Sequence, residues 1–171
     1  MESLHPFTYE KLRECLRYDE ATGIFTWLID RGKRVKAGNT IRATELRFGK
    51  NTYLSVCIYP KRYLVHRLAW FYMTGEWPTS LIDHENRNGT DNSWKNLREA
   101  DHSKNAQNIA ESHCDSATGI LGVYPRRGRF TSRIFVNGKD RCLGMFDTAD
   151  MAQAAYLAAK RELHPFAAAG A

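Results

Sequence analysis

The sequence predicts an α+β protein in three parts. Mixed strands and helices form the N-terminal part, a short hairpin followed by a helix occupies residues 81–110, and a three-stranded antiparallel sheet with one packed helix ends the chain. Three observations predict this class. Residues 81–110 place a loop of turn-forming residues between short apolar segments. Residues 129–136 alternate like a half-buried strand, and apolar residues beyond Thr148 recur at helical spacing.

The N-terminal part combines helix and strand signals. Residues 7–17 predict a short helix, because Leu12, Cys15 and Leu16 share one face and Thr8 can cap its first turn. The further elements predicted here are a strand at 24–28, a hairpin formed by 53–59 and 62–65, and a helix at 66–74 that ends at Gly75.

The stretch from residue 81 to 110 carries the residues with the clearest chemistry. Asp83 and His84 are neighbours on a predicted strand, so one side chain can ligate a cation while the other faces a water. Residues 97–100 predict the returning strand, and Asp101 is a suitable cap for a helix over 102–110 that carries Asn105. Carboxylate and amide oxygens suit hard Mg²⁺, and a neutral histidine suits a general base.

The run DHENRN, followed by DNSWKNLREA and KNAQN, resembles the HNH homing-endonuclease family, which has the ββα-metal fold. The resemblance implies that Asp83 and Asn105 bind one divalent cation, Mg²⁺ or Mn²⁺. It also implies that His84 is the general base and that Asn96 braces the loop by hydrogen bonds across the hairpin. Relatives usually have glycine at the position of Arg87 and arginine at that of Ser93.

A second histidine, His66, opens the helix predicted at 66–74. A histidine in this position is more typical of a structural residue with satisfied hydrogen bonds than of a catalytic one. The segment HRLAW is similar to one that commonly precedes the metal hairpin in HNH relatives. With TGIFTW and GEWP, this similarity extends the nuclease unit back to about residue 20.

The C-terminal part predicts three strands and a helix. Along residues 129–136, Phe130 and Ile134 face one side while Arg129 and Arg133 face the other. Asn137-Gly138 is a strong hairpin signal, since both residues tolerate positive φ. A third strand is predicted at 141–146, followed by a helix capped by Thr148. The stripe that packs this helix on the sheet is Ala152, Ala155, Tyr156, Ala159 and Leu163.

Residues 119–163, from GILGVY to the helix AQAAYLAAKREL, resemble the Apetala-two (ethylene-response-factor) DNA-binding domain. The resemblance implies that the sheet face opposite the helix contacts DNA, although a solvated outer face is the alternative. Relatives often have tryptophan at Phe130, and plant members have an aromatic residue at Cys142. The DNA contacts that this resemblance implies are Tyr124, Arg126 and Arg133. Four other arginines are possible DNA contacts apart from this resemblance: Arg87 and Arg98 in the nuclease part, and Arg127 and Arg129 in the C-terminal part.

The charge distribution fits a protein that binds a polyanion through basic segments on either side of an acidic, cation-binding centre. The net charge is +6, but residues 31–67 hold ten Lys/Arg against one acid, residues 118–141 hold six against one, and residues 81–112 hold four against six. Basic segments therefore flank an acidic centre. The basic loop RGKRVK, residues 31–36, fits a solvated face as well as a phosphate contact.

Several classes of protein are excluded by what the sequence lacks. No apolar run approaches the roughly 18 residues of a membrane span, and we expect no secretion signal from the N-terminal residues. No two cysteines are spaced as C-x-x-C, so we expect reduced thiols, a cytoplasmic location and no structural zinc. We divide the chain into a nuclease domain at 1–111, a linker at 112–117 and a DNA-binding domain at 118–171.

The two resemblances together are typical of free-standing HNH endonucleases of phages and mobile elements. They imply a metal-dependent endonuclease that cuts double-stranded DNA in a bacterial host and leaves a 5′-phosphate and a 3′-OH. The alternative is a sequence-specific DNA-binding regulator with an idle nuclease domain, and an RNA-binding protein is a more distant one. Whether a monomer nicks one strand or a homodimer cuts both stays open.

Overall fold

The computed structural model describes residues 8–109, 112 and 116–167. The chain divides into two compact units, Met1–Ala100 and Asp101–Ala171. The helix predicted over 102–110 is shorter than expected, because it ends at Gln107 and Asn108 is its C-cap. Most of the predicted linker lies outside the described residues. The architecture is α+β, as predicted, with small antiparallel sheets and four helices among the described residues.

The first unit contains three antiparallel sheets and two helices. β1 pairs with β2, β4 lies between β3 and β5, and β6 pairs with β7. The elements are α1 (Tyr9–Cys15), β1 (Leu16–Asp19), β2 (Ile24–Trp27), β3 (Ala43–Phe48), β4 (Asn51–Ile58), β5 (Lys61–Leu64), α2 (Val65–Thr74), β6 (Leu81–His84), a 3₁₀ turn (Trp94–Asn96) and β7 (Leu97–Ala100).

Most of these elements follow the sequence signals, with two exceptions. The hydroxyl of Thr8 caps α1, and α2 ends at Gly75, as predicted. However, α1 ends at Cys15 rather than at residue 17, because Leu16 is extended and pairs with Trp27. β3 was not predicted, since it is an edge strand whose side chains are mostly exposed. The core residues include Leu12, Leu16, Phe25, Val56, Ile58, Leu68 and Ala69.

The second unit begins with α3 (His102–Gln107), capped by Asp101 as predicted. β8 (Val123–Arg126), β9 (Arg129–Val136) and β10 (Lys139–Phe146) form one antiparallel sheet with β9 in the centre. α4 (Ala149–Leu163) follows, with the Thr148 hydroxyl accepting from Met151 N.

The predicted hairpin and helix stripe of the second unit are both present. Asn137 and Gly138 have φ of 51° and 76° and form the turn between β9 and β10. In the helix stripe Ala152 and Tyr156 are buried, whereas Ala155, Ala159 and Leu163 are only partly buried. Lys160 was not predicted to be buried, and its Nζ donates to Ile109 O at 2.6 Å. A bulge between Cys142 and Gly144 interrupts β10 and was not predicted.

No helix within the described ranges is long and apolar enough to cross a membrane. Cys15, Cys57 and Cys142 are free thiols, whereas Cys114 lies outside the described residues.

Candidate active site

The β6–β7 hairpin presents Asp83 beside an arginine. The strand register places Asp83 opposite Arg98. Arg98 Nε and Nη2 lie 3.1 and 3.0 Å from Asp83 Oδ2, and the Asp83 side chain is only 9% exposed. Such a partner offsets part of the cost of burying a carboxylate. Arg98 also approaches Glu85 at 3.7 Å, so it holds the acidic end of the hairpin.

His84 follows Asp83 and is almost completely buried, with 3% of its surface exposed. The sequence led us to expect that one of the two side chains would face water, but the structure buries both. Burial lowers the pKa of His84, against the opposing effects of Asn92, Asp83 and Asp91. The imidazole is therefore neutral at neutral pH, which is the state that a general base requires.

Asn92 determines which ring nitrogen of His84 carries the proton. Asn92 Nδ2 donates to Thr90 O at 3.0 Å, so its Oδ1 faces His84 Nε2 at 3.3 Å. An amide oxygen can only accept, and His84 Nε2 must therefore donate. The basic lone pair of the neutral ring then lies on Nδ1.

Asn96 braces the loop that connects β6 to β7. Its Oδ1 accepts from Asn86 N at 2.9 Å, and its Nδ2 donates to Asp91 O at 2.7 Å. The backbone carbonyl of Asn96 also accepts from Glu85 N at 2.9 Å. One buried amide thus ties both ends of the loop together, by hydrogen bonds of the kind that the HNH resemblance implies.

The β1–β2 hairpin holds Asn92 in place through hydrogen bonds and close packing. Tyr18 OH donates to Asn92 O at 2.6 Å, and Trp94 N donates to Glu20 O at 2.8 Å. Gly23, with φ of 74°, packs so closely that an added Cβ would lie 2.3 Å from the carbonyl carbon of Asn92. The N-terminal part of this unit therefore fixes the loop that positions His84.

Three aromatic rings meet beside the catalytic candidate. The ring of His66 is perpendicular to that of His84, with centroids 5.1 Å apart. Tyr53 lies 5.5 Å from His66 and 5.8 Å from His84. The sequence predicts a satisfied structural role for His66, but among the described residues its buried Nδ1 has no hydrogen-bond partner. Burial is the main reason why the pKa of His66 falls to about 3.

The other predicted metal ligand, Asn105, is exposed on α3 in the second unit. Its approach to Asp83 stays a prediction. Within residues 8–109, 112 and 116–167, no three His, Cys, Asp or Glu side chains cluster as a metal-binding group. The predicted ligand pair is of another kind, one carboxylate with one amide oxygen.

The two positions that differ from HNH relatives have distinct environments. Arg87 has φ of 63°, a conformation that favours glycine, which is the residue that relatives usually have there. Ser93 is buried, and its hydroxyl donates to Asp91 Oδ1 at 2.7 Å. That hydrogen bond is the main reason why the pKa of Asp91 is lowered.

The second unit places the candidate DNA contacts of its sheet on one face. The register pairs Tyr124 with Thr131 and Arg126 with Arg129, while Arg133 pairs with Cys142. Val123, Ser132 and Ile134 are buried on the opposite face, where α4 packs. Arg129 and Arg133 form 2.7 Å ion pairs with Asp147 and Asp140, and exposed Arg127 lies in the β8–β9 turn with φ of 51°.

Comparison with known proteins finds a family match over the part of the chain that contains this hairpin. Residues 63–107 match the family model for HNH endonuclease. The match supports an HNH nuclease domain, and such a domain implies a DNA substrate. No curated protein and no solved structure matches the chain.

Sequence reasoning missed two residues of this site. Asn92 lies among several loop asparagines and aspartates, and nothing local distinguishes it from those that only form turns. Tyr53 is far from residue 84 in sequence, so its ring contact follows from tertiary packing alone. The sequence suggests Arg98 as a DNA contact, whereas the structure pairs it with Asp83.

Proposed function

We propose that the protein is a divalent-metal-dependent HNH endonuclease that hydrolyses a phosphodiester of double-stranded DNA to a 5′-phosphate and a 3′-OH. The observation that carries the proposal is the neutral His84, held by Asn92 with its basic lone pair on Nδ1, directly after the buried carboxylate of Asp83. The match of residues 63–107 to HNH endonuclease supports the same reaction.

The donor chemistry fits a hard cation. A carboxylate offers about four acceptor positions on two oxygens, so the ion pair through Asp83 Oδ2 is compatible with a cation on the same carboxylate. Asp83 and Asn105 would hold one Mg²⁺ or Mn²⁺. When bound, such an ion supplies charge stabilisation for the pentavalent phosphorus and the leaving 3′ oxygen.

The residues of the chain supply the proton transfer. His84 Nδ1 would take the proton of the attacking water, and the hydrogen bond to Asn92 would help the ring to carry the resulting positive charge. Asp83 lies next to His84 and favours that charge. Asn96 acts indirectly, by holding the loop that contains Asn92.

The outer face of the C-terminal sheet would position the DNA. A three-stranded sheet can enter the major groove and read base edges, and Tyr124, Arg126 and Arg133 share the face that would do so. The pairing of a nuclease with such a module fits a phage or mobile-element protein that acts in the bacterial cytoplasm.

The second candidate is a sequence-specific DNA-binding regulator with an idle nuclease domain. The burial of His84 favours it, because a general base must be reached by water and this side chain is 3% exposed. An active enzyme would have to admit one water to Nδ1 when DNA and metal bind.

Incubation of the full chain with supercoiled plasmid and Mg²⁺ or Mn²⁺, with and without EDTA, separates the two. The endonuclease yields nicked or linear DNA only without chelator, and its ends are substrates for DNA ligase. An intact plasmid at protein concentrations that retard its migration would establish the regulator instead. Nicked product alone fits a monomer, and direct linearisation fits a homodimer.

A further inference from the structure

We infer that the tip of the β3–β4 hairpin is a base-stacking surface, in which Phe48, backed by Tyr53, packs against a DNA base beside the nuclease centre. We call these two residues the aromatic tip. The inference rests on the proposed function, because it takes the scissile phosphate to lie at His84.

The ring of Phe48 is large, apolar and 59% exposed. A single exposed aromatic residue is normal in a soluble protein, but this one is part of a continuous series of rings. Phe48 lies 6.1 Å from Tyr53, which in turn lies 5.8 Å from His84 and 5.5 Å from His66. DNA rises about 3.4 Å per base pair. The two centroid distances that lead from Phe48 through Tyr53 to His84 therefore span only a few base-pair steps.

The backbone holds the aromatic tip in place. Phe48 pairs with Asn51 across a two-residue turn in which Gly49 has φ of 60°. The register places Phe48 and Tyr53 on the same face of the sheet. Gly89 of the β6–β7 loop packs on this hairpin so closely that an added Cβ would lie 2.4 Å from Thr52 O and 2.8 Å from the Tyr53 ring. The hairpin and the nuclease loop therefore form one packed surface.

The charge around the aromatic tip favours a polyanion. Arg47 and Lys50 flank Phe48 and the turn in sequence, and Arg47 forms a loose 3.8 Å ion pair with Glu45. The surrounding residues 31–67 contain ten Lys/Arg and one acid. Aromatic side chains stack on the π-face of any base, and apolar wedges inserted between base pairs bend and open the duplex. The occupant that fits this combination is double-stranded DNA.

Tyr59 provides a matched control at the opposite end of the same sheet. It is 80% exposed and lies in the turn between β4 and β5. β4 has eight residues, so its two ends are separated by roughly 20 Å at about 3.3 Å per residue. Removal of the Tyr59 ring, which lies away from His84, tests whether the loss of any exposed aromatic ring weakens DNA binding and unwinding.

The test uses full-length His84→Ala protein, so that cleavage cannot obscure the result. This protein is added to relaxed closed circular plasmid with a topoisomerase, and the topoisomers are resolved after the protein is removed. We expect the His84→Ala protein to unwind the plasmid, which is measured as a change in linking number. The added change Phe48→Ala should abolish most of this change in linking number. It should also weaken duplex binding roughly tenfold, which is the size of a lost stacking contact. The added changes Tyr59→Ala and Phe48→Trp should preserve both.

Equal unwinding with Phe48→Ala and Tyr59→Ala, or none with His84→Ala itself, overturns the inference. A preserved affinity for DNA in the Phe48→Ala protein also overturns it. The proposed function is tested separately by plasmid nicking with the unmodified chain. Unwinding that depends on Phe48 without any nicking would refute the endonuclease and leave the stacking surface standing.

Discussion

Asn92 Oδ1 lies 3.3 Å from Nε2 of His84, and the proposed role of the imidazole as general base depends on this buried contact. It selects the tautomer of the ring and orients it. Metal-binding histidines have partners of this kind, which contact the ring without touching the substrate. Removal of such a partner typically lowers metal affinity or activity by about 10–100-fold.

We therefore predict that Asn92→Ala lowers single-turnover plasmid nicking by about 10–100-fold while duplex binding changes little. The reason is that His84 loses the acceptor that fixes its Nε2 proton. Asn88→Ala in the same loop is the control, because Asn88 bonds only within the turn that contains Thr90. Equal nicking by the Asn92→Ala and Asn88→Ala proteins would refute the role of Asn92.

A second prediction concerns acid stability and His66. The folded pKa of His66 is about 3 and the ordinary value is 6.5. Between these values the unfolded chain binds a proton that the folded chain does not, so the free energy of unfolding decreases as the pH falls through this window. His66→Phe keeps a ring against His84 and removes the titrating group.

Denaturant unfolding at pH 7 and pH 5 measures this effect. The unmodified protein should lose more stability between the two pH values than His66→Phe, although His84 contributes a change of the same direction. An identical loss in both proteins would show that His66 does not resist protonation in the fold.

A third prediction tests the support behind the nuclease loop. Gly23→Ala places a Cβ 2.3 Å from the carbonyl carbon of Asn92 and also forces an alanine to φ of 74°. Gly32→Ala has the same backbone strain at φ of 87° but meets nothing within 4 Å. The strain alone costs roughly 1–2 kcal/mol, so Gly23→Ala should be destabilised by clearly more than Gly32→Ala.

Urea unfolding gives the two free energies, and nicking shows whether the loop moves. We expect only Gly23→Ala to lose nicking activity at a temperature where both proteins are folded. Matching stability losses in the two variants would mean that the β1–β2 turn does not constrain Asn92.

A fourth prediction concerns the outer face of the C-terminal sheet. Arg133→Ala should weaken duplex binding and reduce the slope of log K against log salt by about one unit, because one phosphate contact is lost. Arg161→Ala, on α4 of the same unit, is the control and should leave the slope unchanged. A loss of affinity that varies with DNA sequence would instead assign Arg133 to base reading, and no loss would remove it from the interface.

The features predicted correctly from sequence are those set by neighbouring residues. Thr8, Asp101 and Thr148 cap helices because each side chain reaches the backbone N–H three residues later. Asn137-Gly138 turns the chain because both residues accept positive φ. Each of these features depends on residues a few positions apart, so it can be predicted without knowledge of the rest of the fold.

The features that were missed depend on distant contacts. Asn92 is held by Tyr18, which is 74 residues away in sequence, and β1 forms because Leu16 pairs with Trp27 rather than continuing α1. The burial of His84 likewise results from packing with Tyr53 and His66. No local pattern around Asp83 and His84 distinguishes a buried imidazole from one that faces water.

The most direct measurement of the central claim is plasmid cleavage by the unmodified chain and by His84→Ala, at equal duplex occupancy, with Mn²⁺ and then with excess EDTA. A single general base typically contributes 10²–10⁴-fold. We predict cleavage that EDTA abolishes and that His84→Ala lowers by at least about 100-fold. Equal cleavage by the two proteins, or cleavage that persists in EDTA, would contradict the assignment of His84 and of a metal-dependent reaction.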